Sequence, residues 1–535
     1  MKGKLRQIIG MAVCCVVLCT SLTACTQGTN GGNGNDDENR TQISIALYNG
    51  GLGTEWMDEA AKRFEEKFPE YKVVWTPGKA NYDAGNVYNN FDTFEFDIFF
   101  TDYFGNGTYK SYLDAGYLYD LSTIANEPLT EFGETESIYD KMLPYMKEYY
   151  SEDELYSLPW YQASYQMIYD VALFEEEKFY KDPNGNWNDG SNKSVGQDGV
   201  AGTYDDGLPA YESEFFALLD RMVQKGITPL TWAGNLDYYF TSFMTNLFAK
   251  NEGYNDFKLN YLLEGTDSDL GEITLNNAYL LHNGQTGKAD ALKFAKKLIS
   301  NSNYYSKMTF TVAQDNTAAQ DEFLSSAKTN TRIAMLVEGT WWETESKGTA
   351  DAMSARYGQE YAFGTRRFGV MPTPLSDGNT YTKNTVACIS ATSRVWVNAR
   401  TENKEGVELF IKFLHTDEIL SMTTGKANTP RPYEYDMKDE DLKSMTPYAQ
   451  EVYEMYRSSD VVFDEIPLHD FLVGEGSSFA GYMKVFQSSA TSFTNPALSF
   501  LTDDNLTVKE YMEGAAYSKT AWEKALKEYQ DRINK

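Results

Sequence analysis

Aromatic and polar side chains follow the ends of predicted strands at several points along the chain. Asn49 comes after the first predicted strand, Asp102 and Tyr103 come after another, and Trp232 comes after a short extended run. Ligands of open α/β sheets bind outside the carboxyl ends of the strands, so these residues are candidates for a binding site. Aromatic rings surrounded by planar polar groups suit a ligand whose flat apolar faces are ringed by hydroxyls.

Two adjacent tryptophans, Trp341 and Trp342, follow the predicted strand Ile333–Val337. Glu338 and Glu343, which flank them, are candidate ligand-binding residues as well. Adjacent residues on a turn cannot easily both face one cleft, so one of the two rings is expected to contact a ligand. The alternative for any aromatic side chain is a place in the core, since the chain has 39 tyrosines and nine tryptophans. These aromatic residues are therefore candidates for ligand contact because they follow a strand, and not because of their residue type alone.

A second candidate site lies in residues 181–209, which are rich in Gly, Asn and Asp. Oxygen ligands at alternating positions suit calcium. Trp187 and Lys193 stand where an EF-hand loop needs glycine and glutamate, which excludes an EF-hand. The segment is predicted to be either a structural calcium site or a solvated loop without metal, and no other cofactor is required. The candidate calcium ligands are Asp182, Asn184, Asn186, Asp198, Asp205 and Asp206.

Catalytic constellations are missing from the sequence. The histidines His282, His415 and His469 are far apart and lack the H-E-x-x-H spacing of a zinc site. No G-x-S-x-G segment occurs, and the glycines of residues 284–289 and 105–110 lack the spacing of a phosphate-binding turn. With 78 acidic residues, paired carboxylates arise by chance, so a glycoside hydrolase stays only as an alternative. The chain is expected not to be an enzyme.

The elements that would position these residues follow a strand–helix–strand order. Ile43–Tyr48 alternates with period two and predicts a strand, and Thr54 is placed to cap the helix that follows it. Further strands are predicted at Val73–Trp75 and Phe96–Phe100, which together indicate an α/β sheet with right-handed crossovers. The alternation continues through predicted elements at residues 165–169, 212–225, 289–300, 332–337, 367–371, 386–390, 407–414 and 522–533. Residues 181–209 and 251–285 depart from it and are predicted to be insertions.

The beginning of the chain predicts export and anchoring. Residues 1–24 have the positive start and short apolar run of a signal peptide. Leu22-Thr-Ala-Cys25 resembles the lipobox of bacterial lipoproteins, in which cleavage precedes the cysteine and its thiol is diacylated. Residues 25–40 then form a lipidated cysteine and a flexible Gly/Asn/Asp-rich linker. The alternative is an ordinary signal peptide with an incidental cysteine.

Charge and cysteine content exclude several classes of partner. The net charge of −31 becomes more negative without the leader, and such a surface repels nucleic acid. Beyond the leader and Cys25 only Cys388 remains, so a disulfide framework is excluded and Cys388 is predicted to be buried. With 42% hydrophobic residues the remaining chain has ample material for folded cores, and its length predicts two or more domains.

The ordered set of motifs resembles a known family. The motifs are Asn49-Gly50-Gly51, Phe96-Asp-Ile-Phe-Phe-Thr-Asp102, Tyr112-Leu-Asp-Ala-Gly-Tyr-Leu-Tyr-Asp-Leu121, Tyr156-Ser-Leu-Pro-Trp160, Ile333-Ala-Met-Leu-Val-Glu-Gly-Thr-Trp-Trp342 and Phe368-Gly-Val-Met-Pro-Thr-Pro374. Their order is similar to that of the extracellular solute-binding proteins of ABC carbohydrate importers, the maltose-binding-protein-like family 1. The set covers most of residues 41–436, although this chain is longer than the simpler members.

The resemblance implies a two-lobed, type II periplasmic-binding-protein-like α/β fold whose lobes are joined by crossing hinge strands. The crossings would lie near Trp160, Cys388 and Thr429. The N-terminal lobe would then be residues 41–162 plus 388–428, and the C-terminal lobe residues 163–387 plus 429–535.

The resemblance also implies a function. The protein would be a lipid-anchored receptor on the extracytoplasmic face of the cell membrane, and a monomer, that captures an oligosaccharide and delivers it to ABC permease subunits. Trp341 or Trp342 would stack on the sugar, and Trp160 and Tyr161 would lie at the hinge near it. Arg431, beyond the third crossing, would bond hydroxyls or a uronate, or form a salt bridge between lobes. A peptide receptor of the same architecture is the alternative, although aromatics after strand ends favour sugar.

Overall fold

Fifteen strands arranged in five sheets make up the β-structure of the part of the chain that the structure describes. The structure is a computed structural model that describes residues 39–381, 383–389, 393–464, 469–476, 479, 495–514 and 518–535. The predicted signal peptide, Cys25 and nearly all of the predicted linker lie outside the described residues. The strands are β1 (Thr41–Tyr48), β2 (Tyr71–Gly78), β3 (Ile98–Thr101), β4 (Leu158–Pro159), β5 (Tyr165–Asp170), β6 (Tyr180–Lys181), β7 (Trp187–Asn188), β8 (Thr228–Trp232), β9 (Gly265–Asp267), β10 (Gly271–Ile273), β11 (Ile333–Gly339), β12 (Phe368–Met371), β13 (Thr385–Cys388), β14 (Arg394–Val397) and β15 (Asp460–Phe463).

Helices connect most of these strands. The α-helices of the described residues are α1 (Glu55–Lys67), α2 (Ala84–Asn89), α3 (Asn106–Asp114), α4 (Ser122–Asn126), α5 (Ile138–Lys141), α6 (Pro144–Lys147), α7 (Val171–Glu177), α8 (Glu212–Gln224), α9 (Asp237–Glu252), α10 (Tyr254–Phe257), α11 (Leu259–Leu262), α12 (Leu281–Gly284), α13 (Thr286–Ile299), α14 (Asn316–Ser326), α15 (Trp342–Glu345), α16 (Lys347–Tyr357), α17 (Lys404–Leu414), α18 (Asp417–Ala427), α19 (Asp439–Ser444), α20 (Pro447–Ser458), α21 (Asp470–Val473), α22 (Pro496–Thr502), α23 (Val508–Gly514) and α24 (Lys519–Ile533). Short 3₁₀ helices occur at Ala80–Tyr82, Phe91–Thr93, Thr130–Phe132, Ala278–Leu280 and Gln359–Tyr361.

The first large sheet has five strands in the order β2-β1-β3-β14-β4. β1 runs parallel to β2 and β3, β14 runs antiparallel to β3, and β4 runs antiparallel to β14. All four residues of β3 are buried, as expected for a parallel strand covered on both faces. The predicted α/β order of the first hundred residues is confirmed.

The second large sheet has four strands in the order β12-β5-β11-β8. β11 is parallel to β8 and antiparallel to β5, and β12 is antiparallel to β5. Because β4 belongs to the first sheet and β5 to the second, the chain passes from one sheet to the other over residues 160–164.

Several details differ from the predictions. Thr54 occupies the N-cap position of α1, but its side chain makes no capping hydrogen bond. The strand predicted at residues 386–390 is β13, which ends at Cys388 and pairs with β15 rather than with either large sheet. Residues 251–285 are not irregular: they hold short helices and the β9–β10 hairpin, because leucines and aromatics there bury themselves against α24. No helix among the described residues has the length and apolar character needed to cross a bilayer.

Candidate ligand-binding site

A cavity of about 470 Å³ opens at the edges of the two large sheets. β1 ends at Tyr48 and β3 at Thr101, and because these strands are parallel their carboxyl ends lie at the same edge. Gly339, the last residue of β11, pairs with Tyr165, the first residue of β5, which brings these two ends together at one edge of the second sheet. The cavity is lined by Tyr48, Gly50, Leu52, Lys79, Asp102, Tyr103, Tyr161, Ala163, Tyr165, Tyr238, Tyr239, Asn316, Trp341, Glu345, Ile389 and Ser393.

Seven of the sixteen residues that line the cavity have aromatic side chains. On the side of the first sheet, the rings of Tyr48 and Tyr103 meet edge to face at 6.4 Å between centroids. On the side of the second sheet, the Tyr165 ring contacts Trp341 at 5.3 Å and Tyr239 at 5.0 Å. Six of the seven rings contact another ring of the wall, and the seventh, Tyr161, packs against the Arg431 guanidinium. The seven are Tyr48, Tyr103, Tyr161, Tyr165, Tyr238, Tyr239 and Trp341.

Glu345 is the centre of the polar network in the wall. Its Oε2 accepts hydrogen bonds from Asn316 Nδ2 at 3.2 Å and from Gln320 Nε2 at 2.8 Å. Its Oε1 pairs with Lys79 Nζ at 3.3 Å, so a residue that follows β2 of the first sheet is tied to α15 beside the second sheet. The Glu345 side chain is only 9% exposed, whereas that of Lys79 is 60% exposed.

The Gly50-Gly51 turn after β1 packs against the same segment. Gly51 has a φ of 106°, and a Cβ there would lie 2.8 Å from Cβ of Glu345 and 3.0 Å from Cδ1 of Trp341. Both the left-handed backbone and the close approach require glycine at this position. The turn therefore closes one side of the cavity against the second sheet.

Burial raises the pKa of several cavity tyrosines above the ordinary tyrosine value, which already leaves the phenol protonated at neutral pH. The pKa of Tyr48 is raised well above its ordinary value by burial and by the charge of Asp102. Burial likewise raises the pKa of Tyr238 and Tyr239. These phenols are hydroxyl groups that donate as well as accept hydrogen bonds.

Four of the residues predicted from the sequence line the cavity: Asp102, Tyr103, Tyr161 and Trp341. Asp102 and Tyr103 directly follow β3, and the Tyr103 N–H donates to Asp102 Oδ1 at 2.8 Å. Tyr103 has a φ of 57°, and this left-handed conformation directs the chain away from the strand. Asn49 is half-buried outside the cavity lining, and its N–H donates to the Gly78 carbonyl at 2.8 Å.

Trp160 and Arg431 lie in the core behind the cavity rather than in its wall. The Trp160 ring packs on Trp56 and Phe100. The Arg431 guanidinium is stacked 4.6 Å from Trp160 and 4.7 Å from Tyr161, and it donates to the Trp160 carbonyl at 3.3 Å. Arg431 is 1% exposed and supports Tyr161 from behind, and it forms no salt bridge with any residue that the structure describes.

Trp232 and Trp342 are also core residues. Trp232 is the last residue of β8, and its ring stacks on Phe240 at 4.9 Å. Trp342 is fully buried and its ring packs edge to face on Phe368. The expectation that one of the two adjacent tryptophans would face the cleft agrees with the placement of Trp341.

The two glutamates that flank the tryptophans are buried outside the cavity lining. Glu338 is fully buried, and its Oε1 accepts from the Gly339 N–H at 2.8 Å. Burial raises the pKa of Glu338 well above its ordinary value. Glu343 accepts a hydrogen bond from the Thr446 hydroxyl, and burial raises its pKa to about 7.

The predicted calcium ligands fall into two groups of turns. Asp182 Oδ1 accepts the N–H groups of Asn184 and Asn186, each at 2.8 Å. In the second group, Asp205 Oδ2 accepts the N–H of Asp198 at 3.0 Å. The second group consists of Asp198, Asp205 and Asp206. Carboxylate oxygens of both groups therefore accept hydrogen bonds from the backbone of the loop. A calcium ion in residues 181–209 stays a prediction.

Among the described residues, one group of three acidic side chains lies elsewhere with oxygens within 4.8 Å of one another. It comprises Glu252, Asp256 and Asp267, and all three are buried. Glu252 Oε2 accepts the Gly287 N–H, Asp256 accepts the Ser268 hydroxyl, and Asp267 Oδ2 accepts from a glutamine amide. These bonds stabilise the packing of residues 251–285 on the rest of the molecule.

Comparisons with known proteins identify the class and then the family. Two α/β sheets that share a ligand-sized aromatic cavity are the architecture of two-lobed binding proteins. Residues 50–419 match the family described as bacterial extracellular solute-binding protein. The chain belongs to this family, and its fold is the two-lobed α/β fold of these proteins.

Solved structures with the same fold include three structures of two sugar-binding proteins. A chitin oligosaccharide binding protein is similar with 16% identity and a TM-score of 0.54, over 90% of this chain and 99% of that one. The apo form of RafE from Streptococcus pneumoniae is similar with 15% identity and a TM-score of 0.55, over 89% of this chain and 98% of that one. RafE in complex with raffinose is similar with 14% identity and a TM-score of 0.54, over 89% of this chain and 99% of that one. No curated protein matches the chain.

Proposed function

We propose that this protein captures an oligosaccharide in the cavity and delivers it to the permease of an ABC importer, without chemical change to the sugar. The observation that carries the proposal is the wall of seven aromatic side chains contributed from both large sheets, with amide, carboxyl and phenol groups between them. Aromatic faces suit the C–H faces of sugar rings, and the polar groups suit their hydroxyls.

The names of the similar structures support a saccharide ligand. They bind chitin oligosaccharide and raffinose, as their descriptions state. Because these proteins share the fold and not a close sequence, they support the ligand class and leave the sugar itself to experiment. The cavity volume of about 470 Å³ lies within the usual range of small-ligand sites.

The mechanism we propose is closure of two lobes around the sugar. The lobes would be residues 41–162 plus 388–428 and residues 163–387 plus 429–535, each built around one large sheet. Residues of the two sets meet at the cavity, among them Lys79 with Glu345 and Gly51 with Trp341. A ligand that contacts both sets stabilises the closed arrangement and shifts the population toward it.

The location we propose is the extracytoplasmic face of the cell membrane, with Cys25 as the lipid-bearing residue. The support is the signal-like segment of residues 1–24, the lipobox-like Leu22–Cys25 and the polar linker that follows. In this arrangement a monomer remains near its permease subunits while the cavity faces the exterior. A structural calcium ion in residues 181–209 would stabilise that loop without contact with the sugar.

Isothermal titration calorimetry of the full-length protein against neutral plant, host and microbial oligosaccharides tests the proposal. We expect saturable binding of one group of sugars, with no shorter product on prolonged incubation. A matched pair of variants locates the site: Trp341→Ala should abolish the heat, and Trp187→Ala, which removes a half-buried tryptophan of β7 outside the cavity, should leave it unchanged. Binding of peptides instead of sugars, or release of shorter sugars, would overturn the proposal.

A further inference from the structure

The cavity wall holds more negatively charged than positively charged side chains. Among the described residues that line the cavity, the charged side chains are the carboxylates of Asp102 and Glu345 and the ammonium group of Lys79. The wall therefore carries one more negative than positive charge. Since Lys79 follows β2 and Asp102 follows β3, both signs of charge come from the edge of the first sheet, whereas Glu345 ends α15.

The one ammonium group is already paired. Lys79 Nζ lies 3.3 Å from Glu345 Oε1, and Asn316 and Gln320 hold the other oxygen of the same carboxylate. An anionic ligand that attracted Lys79 would release Glu345 from its cation.

Arg431 lies near the cavity but cannot contact a ligand bound there. Arg431 is 1% exposed and lies behind Tyr161, where its donors bond Thr423 and the Trp160 carbonyl. Because it is buried behind the Tyr161 ring, its guanidinium does not reach a ligand in the cavity. A carboxylate on the ligand would find no arginine in the described part of the wall.

The enclosure strengthens this imbalance. The Glu345 side chain is only 9% exposed, and like charges repel more strongly where the effective dielectric constant is lower than in water. A carboxylate or sulfate on the ligand would also lose its own hydration on entry. Sugar hydroxyls are not repelled by the wall carboxylates, because they are uncharged and donate hydrogen bonds to them.

We infer that the cavity selects saccharides that carry no carboxylate or sulfate group, and that Asp102 and Glu345 determine this selectivity. The inference rests on the proposed function, because it names the chemical class of saccharide that the same site takes. Uronate-containing oligosaccharides are excluded, although the sequence alone had left Arg431 as a partner for a uronate.

The test compares matched pairs of sugars that differ in charge. Raffinose, N-acetylated chitotriose, cellotriose and maltotriose are each titrated into the full-length protein, beside the same sugar with its primary alcohols oxidised to carboxylates. We expect the neutral member of at least one pair to bind, and its oxidised counterpart to bind at least about tenfold more weakly, an effect of like-charge repulsion in a partly enclosed site. The ratio should fall as the salt concentration rises.

Variants assign the selectivity to the two residues. Asp102→Asn and Glu345→Gln should each lower the ratio of neutral to oxidised affinity by roughly threefold or more, since each removes one negative charge from the wall. Asp439→Asn, which neutralises an 89% exposed carboxylate in α19, should leave the ratio unchanged.

The outcomes separate the two proposals. Equal or tighter binding of an oxidised sugar overturns this inference while sugar binding itself stands. A ratio that neither variant lowers overturns the assignment to Asp102 and Glu345. Binding of neither member of any pair, together with silence across the wider neutral panel, overturns the proposed function and this inference with it.

Discussion

The backbone of Gly339 lies directly against the indole of Trp341. A Cβ built on Gly339 would be 2.3 Å from one carbon of the six-membered ring of Trp341, and 2.4 and 2.5 Å from two others. No side chain fits in that space. The ring folds back over the last residue of β11, and its position in the cavity is set by the absence of a Cβ at residue 339.

Gly339→Ala is therefore expected to displace the Trp341 ring and to weaken sugar binding by about tenfold or more, because a shift of the order of 1 Å removes close packing against a ligand. Calorimetry measures the affinity, and thermal unfolding reports the fold. Gly348→Ala is the control: a Cβ there meets open space on α16, so it should stabilise the helix by roughly 0.5–1 kcal/mol and leave the affinity unchanged. Unchanged affinity in Gly339→Ala would contradict the role of Gly339.

The adjacent tryptophans should respond in opposite ways to truncation. Trp341→Ala is expected to abolish sugar binding with little loss of stability, because the ring lines the cavity. Trp342→Ala is expected to lower the free energy of unfolding by roughly 3–5 kcal/mol, because the ring is fully buried among Phe323, Phe368 and Tyr448. Denaturant unfolding and calorimetry on both variants separate the two effects. A Trp342→Ala protein of normal stability that fails to bind would contradict this assignment.

Much of the fold could be predicted because the strands of both sheets are short, apolar and separated by clear turn and helix signals. β1, β5 and β11 were each predicted to within two residues at either end. β13 was predicted as a strand, but its partner β15 lies more than seventy residues away and no local pattern indicates that pairing.

Some of the residues that line the cavity could also be predicted, because they follow the ends of strands that the sequence indicates. Asp102, Tyr103 and Trp341 follow strand ends, where the topology of an α/β sheet places ligands. Tyr165 was missed because it begins an antiparallel strand, so the rule of carboxyl ends does not apply to it. Tyr238 and Tyr239 were missed because they lie in the first turn of α9, and only tertiary packing brings that turn to the cavity.

Three candidate ligand-binding residues lie in the core for a common physical reason. Trp160, Trp232 and Arg431 also stand at or near the ends of elements, but each side chain turns toward the core. A large apolar ring gains more free energy from complete burial than from half-exposure, and sequence position does not report which way the side chain points. Arg431 is buried because three aromatic rings accept its guanidinium, and their convergence is visible only in the folded chain.

Arg431→Lys should destabilise the protein rather than remove a ligand contact. A lysine lacks the planar guanidinium that stacks on Trp160 and Tyr161, so we expect the free energy of unfolding to fall by about 2 kcal/mol. Arg400→Lys is the matched control, because Arg400 stacks on Phe91 but is 56% exposed, and its loss should be below about 1 kcal/mol. Denaturant unfolding measures both. Loss of sugar binding in Arg431→Lys at unchanged stability would instead make Arg431 a ligand residue.

Glu343 should make the stability of the protein depend on pH. Burial raises the pKa of Glu343 from 4.5 to about 7, so between these pH values the folded protein holds a proton that the unfolded chain has released. The free energy of unfolding therefore falls as the pH rises from about 4.5 to about 7, and this contribution is fully lost above pH 7.

Glu343→Gln removes this proton equilibrium and keeps the shape of the side chain. The variant should match the wild type near pH 4.5 and exceed its free energy of unfolding at pH 8 by at most roughly 3 kcal/mol. Urea unfolding at a series of pH values measures the difference, with Glu66→Gln on the exposed face of α1 as the control that should follow the wild-type curve. If Glu343→Gln and the wild type keep a constant difference across this range, the carboxyl of Glu343 does not hold its proton in the folded protein.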